Sequence, residues 1–442
     1  MDTRSTRRAV TAAALFACCC GAAAQPATND TPDGAAIGLA DAIRLALAQP
    51  RLQAAAHEAA AADALVGQAG SLPNPELGYL REGRDSGART TTVQISQPIE
   101  LGGKRGARVL LAREEAALAH TELAARRRDV RADVIAAYYT LLVARRQRAL
   151  AEDLTGLARR SAEVAAQRVA AGKVPPLDET RARLAAVDAA FELTRAEAAL
   201  AVAAVQLNAL LGKPGRAVAP AQGDAGLSPA LPPEFPPQLP PQLPPELSAE
   251  SATPEAGADA DIETAGAVTR ARKRLAQQQA QAALERAARI PDLTLTLGTQ
   301  RDDSVGRRQA VVGVSLPLPL FDRNTGRLTA ALRRTEQARA ELAAARIESG
   351  AALAAARTRY RAARQEAALL RRDVLPGARS AWELTLRGFE AGKFALLDVL
   401  DVQRTWFQAQ SREAGATLAA WQAYADIGRL GGAQPSDTDN QP

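Results

Sequence analysis

Strict alternation of apolar and polar positions marks two places in the chain. Leu293, Leu295 and Leu297 alternate with Thr294, Thr296 and Gly298; further on, Ala310, Val312, Val314 and Leu316 alternate with Val311, Gly313 and Ser315. A period of two is that of a strand with one apolar and one more polar face. A weaker copy lies upstream, where Leu77 and Tyr79 precede Val93 and Ile95, the latter alternating with Gln94 and Ser96. Polar turns, Arg81–Arg89 and Arg301–Arg308, divide each pair. Each strand can reach about nine residues, the length that crosses a bilayer when tilted. Elsewhere the pattern predicts helices. Leu39–Gln68 and Glu263–Ala288 precede the strand pairs. The proline-free stretch Arg105–Glu152, 48 residues long, follows the first pair and would span roughly 70 Å as a helix. Arg327–Arg372 follows the second. Each is expected to continue, after a break, to a Gly-Lys turn, from which the chain returns as Asp178–Leu211 or Leu396–Leu430.

This grammar is written twice. Leu72-Pro73-Asn74-Pro75-Glu76-Leu77 is echoed by Ile290-Pro291-Asp292-Leu293, and Ile95-Ser96-Gln97-Pro98 by Val314-Ser315-Leu316-Pro317. Ala171-Gly172-Lys173 with Leu177-Asp178 is echoed by Ala391-Gly392-Lys393 with Leu397-Asp398. The offsets are 218, 219 and 220 residues, in the same order, as a tandem duplication requires. The repeats are read as 25–211 and 262–430. Between them Gly212–Asp261 carries 12 of the 26 prolines and reads as an extended spacer, with a ligand for a proline-binding module as the competing reading. Residues 431–442 read as a disordered tail.

The N-terminus alters the picture of where this chain works. Arg4, Arg7 and Arg8 precede the uncharged stretch Ala9–Gly21 and then Ala22-Ala23-Ala24. That is the layout of a secretory signal peptide, 1–24, cleaved after Ala24. The alternative is lipoprotein processing at Cys18 in the run Leu15-Phe16-Ala17-Cys18. Both take the protein out of the cytoplasm. All 3 cysteines lie at 18–20, so no disulfide framework spans the chain. With 2 histidines, His57 and His120, a dedicated metal site is not expected, nor is a cofactor. The excess of 55 Lys+Arg over 49 Asp+Glu is small for 442 residues and makes no case for nucleic acid. Aromatics at 3 % and abundant alanine favour thin layers of closely packed helices over large compact cores.

Four strands cannot close a barrel, and an open sheet edge does not persist in lipid. The alternation argues for a membrane barrel, and the strand number argues that several chains share it; three would supply twelve strands. The alternative is a soluble periplasmic coiled coil with small β insertions.

These residues resemble the TolC-type outer-membrane factor family from Leu39 to Leu430, apart from the proline-rich linker. Leu39-Ala40-Asp41-Ala42-Ile43 with Leu45-Ala46-Leu47 resembles its opening helix, and Leu72-Pro73-Asn74-Pro75-Glu76-Leu77 the approach to its first strand. Gln97-Pro98-Ile99-Glu100-Leu101-Gly102-Gly103-Lys104-Arg105 is similar to the branch serving heavy-metal efflux, of the cobalt-zinc-cadmium and copper-silver type. The resemblance implies a mainly α protein of long helical hairpins, assembled as a homotrimer. A twelve-stranded β-barrel would sit in outer-membrane lipid and an α-barrel would reach into the periplasm. A periplasmic adaptor would dock at the hairpin tips, and an inner-membrane RND-type pump would feed the duct. The linker would lie near the tube's equator. Export of drugs, organic solutes or a secreted polypeptide is the alternative use of the same duct.

A passive duct needs a gate rather than a catalyst, and no G-x-x-x-x-G-K-[ST], H-E-x-x-H or G-x-S-x-G is present. Asp398 and Asp401, three apart, share one helix face. Repeated around a trimer axis they would form two carboxylate rings, a negative constriction favouring cations. They match the family's periplasmic aspartate gate. The competing reading is a pair of solvated acids at a helix start. The first tip carries Asp178 and Arg181 at the matching places. Gly172, Lys173, Gly392 and Lys393 are candidate adaptor-docking turns, the lysines either contacting the adaptor or capping helix C-termini. Gly102-Gly103-Lys104-Arg105 is expected to govern a strand-to-helix junction rather than bind phosphate.

Overall fold

The computed structural model describes residues 37–83, 89–212, 261–303, 305–391 and 393–431. The signal segment 1–24 with Cys18, most of the proline-rich linker, Gly392 and nearly all of the tail lie outside these residues.

The elements are α1 (Leu39–Leu47), α2 (Pro50–Ala69), β1 (Glu76–Glu82), β2 (Thr90–Ile99), α3 (Lys104–Ala170) and α4 (Pro176–Leu210) in the first half. The second half has α5 (Gly266–Ala287), β3 (Leu293–Asp302), β4 (Arg307–Ser315), α6 (Thr325–Leu369), a π-helical turn (Leu370–Val374), α7 (Leu375–Glu390) and α8 (Leu396–Leu430). No helix among the described residues is long and apolar enough to cross a membrane.

Prolines set the helix breaks. The expected single helix Leu39–Gln68 is two, because Pro50 occupies the first turn of α2 and Gln49 before it is extended (φ −72°, ψ 150°). The Gln49 amide then donates to the Leu211 carbonyl at 2.6 Å, tying the end of the first half to its beginning. The break expected in both long helices exists only in the second half. There Pro376 lacks an N–H and its ring crowds the carbonyl four residues back, and the chain widens into the π turn just upstream. With no proline between 104 and 170, α3 is continuous for 67 residues, roughly 100 Å.

α3 packs against α1, α2, α4, α5 and α8, and α6 packs against α5 and α8. The buried layer is thin. Ala42, Ala46, Ala144 and Ala203 surround Val134, Leu141, Leu207 and Leu211 in one cluster, and Tyr139 stacks on Trp421 with ring centroids 3.8 Å apart in another. Burial pushes the Tyr139 hydroxyl up to about 12, so it stays protonated. Leu177, Leu184, Val187, Phe191, Val202 and Val205 of α4 remain exposed in the single chain, an apolar stripe at helical spacing.

The four strands form one antiparallel sheet in the order β1-β2-β3-β4. Its central pairing, β2 with β3, joins the two halves. Cross-strand partners share a face, so the register sorts the side chains. Leu77, Ile95, Leu297 and Val312 form one rung, with Tyr79, Val93, Thr299 and Ala310 beside it on the same face. The opposite face carries Thr92, Gln94, Ser96, Thr296, Gln300 and Gln309. Ser96 and Thr296 bond across it at 3.1 Å.

The strand-to-helix junction binds the halves a second time. Asp292 accepts from the Leu101 N–H at 3.1 Å and the Lys104 ammonium at 2.8 Å. Arg108 pairs with Glu100, and that bond holds the guanidinium above its usual value. Gly102 and Gly103 both take positive φ, +70° and +75°. A Cβ on Gly102 would meet Ile290 Cβ at 2.8 Å, whereas one on Gly103 would meet nothing within 4 Å. Gly103→Ala should therefore cost only the left-handed penalty, about 1–2 kcal/mol. Gly102→Ala adds an overpacking penalty of about 1–3 kcal/mol. Thermal melts of the purified assembly should show a larger loss for Gly102→Ala; equal losses would contradict this account of the junction.

Candidate functional site

The two hairpins end together, at the far end of the helices from the strands. In the first, Gly172 takes φ +67° and the Lys173 N–H donates to the Arg168 carbonyl at 2.9 Å, a closure that uses an orphan carbonyl of α3. In the second, the Lys393 N–H donates to the Gly388 carbonyl at 2.8 Å. Both lysine side chains are exposed. Phe394 lies on Gly388, where a Cβ would overlap its ring.

Asp398 sits in the first turn of α8 and its Oδ2 accepts the Ala395 N–H at 3.0 Å. This satisfies a free helix donor and places a negative charge at the positive end of the dipole. Asp401 lies in the next turn. Both are exposed, so the pair presents two carboxylates at one corner of the tip. At the first tip Asp178 has Arg181 at 4.0 Å, so the double acid belongs to one hairpin alone.

Asp401 also borders a cleft of about 870 Å³ between α3, α4 and α8, with Arg181, Asp188, Gln403, Arg404 and Phe407 among its lining. Arg404 reaches Asp188 at 3.4 Å, and the Arg168 guanidinium lies 4.1 Å from the centroid of the Phe389 ring. Sequence reasoning missed these hairpin-to-hairpin contacts. The available signal was the duplication: the partners are 216 and 221 residues apart, close to the repeat offset, because equivalent positions lie at one level of the helices.

Away from the tips, His120 of α3 lies 3.0 Å from Asp63 of α2, an exposed contact between helices. His57 lies on α2 and is not among its partners.

A strand pair from each half in one sheet, each followed by a helical hairpin, defines a class of membrane channel. Residues 42–213 and 262–433 match the family described as outer membrane efflux protein, and the chain belongs to that family. It is 40 % identical over 379 residues to the cobalt-zinc-cadmium resistance protein CzcC of Cupriavidus metallidurans, covering 86 % of each chain. It is 30 % identical over 307 residues to the nickel-cobalt-cadmium resistance protein NccC of Alcaligenes xylosoxydans xylosoxydans, covering 68 % of this chain and 64 % of that one. A crystal structure of a membrane protein from Pseudomonas aeruginosa shares the fold, with a TM-score of 0.71 at 23 % identity over 88 % of this chain and 92 % of the other.

The protein is thus an outer-membrane efflux channel with a large periplasmic part. Like its family it works as a homotrimer with a periplasmic adaptor and an inner-membrane pump. The stripe Leu184, Val187, Phe191, exposed in one chain, is the kind of surface that neighbouring copies cover.

Proposed function

We propose that this channel exports heavy-metal cations, with Asp398 and Asp401 as its periplasmic gate and the hairpin turns at Gly172-Lys173 and Gly392-Lys393 as the adaptor-docking tips. The observation that carries the cargo is the 40 % identity, over 86 % of both chains, to a protein named for cobalt, zinc and cadmium resistance. The gate reading is supported by two exposed carboxylates one turn apart at the start of α8, at the end of the hairpins away from the sheet. Three copies would bring six carboxylates to the mouth of the tube, where they concentrate cations and repel anions. The chain performs no chemical step, and the driving energy comes from the pump.

Deleting the coding sequence should lower tolerance to cobalt, zinc and cadmium several-fold in minimum inhibitory concentration, and the wild-type chain should restore it. Unchanged tolerance to all three metals would overturn the cargo assignment.

A further inference from the structure

The apolar face of the sheet does not stay apolar to its end. Arg81 of β1, Thr91 of β2, Arg301 of β3 and Arg308 of β4 occupy one rung, next to the turns that close the hairpins. They lie on the same face as Leu77, Tyr79, Val93, Ile95, Leu297 and Val312. In a transmembrane barrel the apolar face meets lipid and the polar face lines the lumen. Leu77 and Val312, 74 % and 71 % exposed in the single chain, fit that outward face. Three arginines per chain therefore point toward lipid, at the end of the strands opposite the periplasmic helices.

Depth decides what they meet. An arginine on the lipid face costs about 2–4 kcal/mol at the midplane but about 0–1 near the interface. From the rung at Thr91 to that at Ile99 is eight steps, about 27 Å along the strand, or about 20 Å along the membrane normal at a tilt of about 35–45°, most of an apolar band about 25 Å tall. The arginine rung thus lies at the outer headgroup level. Tyr79, two residues below Arg81, stands where interfacial aromatics sit.

Among the described residues, the arginines of this rung outnumber the acids beside them. Arg301 and Arg308 are direct cross-strand partners, a like-charge arrangement that destabilises a sheet unless an anion intervenes. Arg301 has Asp303 at 3.0 Å. The Arg81 and Arg308 side chains make no hydrogen bond or ion pair with another described residue, although both backbones are held in the sheet. The acids Glu82 and Asp302 belong to the next rung, with Thr90 and Arg307, on the opposite face. Neighbouring strands are about 4.8 Å apart, so Arg301 and Arg308 can grip one phosphate with their planar forks.

We propose that Arg81, Arg301 and Arg308 form a binding site on the outer rim of the barrel for the phosphate groups of outer-leaflet lipid. The proposal rests on the outer-membrane placement and is independent of cargo and gate.

The test uses purified full-length trimers in detergent, titrated with bisphosphorylated lipid A or its dephosphorylated form and read by native mass spectrometry. Wild-type trimers should prefer the phosphorylated lipid by about tenfold or more, since charge-assisted bonds are the strong ones. Arg81→Gln with Arg308→Gln should lose that preference, and Arg307→Gln, on the luminal face, should keep it. Three results would each overturn the proposal: no wild-type preference for the phosphorylated lipid, equal preference in the double variant, or equal loss in Arg307→Gln. Inorganic phosphate binding as tightly as the lipid would also overturn it, as a free-anion site. The wild-type comparison decides the matter even where a variant fails to assemble.

Discussion

Gly298→Ala should remove most of the assembled trimer from the outer membrane, whereas Gly313→Ala, fifteen residues along the same hairpin, should leave its amount unchanged. A Cβ on Gly298 would lie 2.5 Å from the Val93 carbonyl oxygen and 2.8 Å from Gln94 Cβ. The first is backbone of the paired strand and cannot swing aside. The β2–β3 ladder must open locally, and that ladder joins the two halves of the barrel wall. Gly78 flanks Gln94 from the other side, with Gln94 Cγ at 3.1 Å from a built Cβ, so the glutamine lies across two glycines on the polar face. Overpacking costs about 1–3 kcal/mol, and a trimer incurs it three times, about 3–9 kcal/mol in all. At Gly313 the nearest atom is Thr296 Cβ at 3.6 Å, an ordinary contact. Heat-resistant trimers counted on gels of outer-membrane fractions check both. Equal yields for the two variants would refute the close-approach argument.

The gate assignment predicts the second large effect. In a planar bilayer, Asp398→Asn with Asp401→Asn should raise single-channel conductance and weaken block by multivalent cations by at least about tenfold. Two unit charges 4 Å apart interact by about 4 kcal/mol at an effective dielectric of 20, so neutralising two rings removes much of the site's hold on a cation. Asparagine is preferred to alanine because Asp398 also accepts the Ala395 N–H at 3.0 Å. Removing that cap would cost about 1 kcal/mol and confuse unfolding with gating. Asparagine can still cap. Unchanged conductance and unchanged block would leave these residues as helix-start acids and remove them from the gate.

Both kinds of helix break follow from single prolines, Pro50 and Pro376, that are visible in the sequence. The unbroken α3 follows from their absence: no proline lies between 104 and 170, so the break expected there does not occur. The tip pair Asp398 and Asp401 was readable because helical spacing is a local rule. The contacts around it, Arg404 with Asp188 and Arg168 with Phe389, were not, because each joins helices from different repeats.

Alternation, period and duplication are properties of neighbours along the chain, and they determine the strands, the helices and the two-fold plan without any coordinates. Register is a different quantity. Nothing within β1, β3 or β4 alone states that Arg81, Arg301 and Arg308 share a rung, or that Gly298 faces the Val93 carbonyl. Those facts depend on how strands from the two repeats slide past one another, and a slip of one residue would turn every side chain to the other face. Pairing across 200 residues is set by the packing of both halves together, and only the tertiary structure decides it.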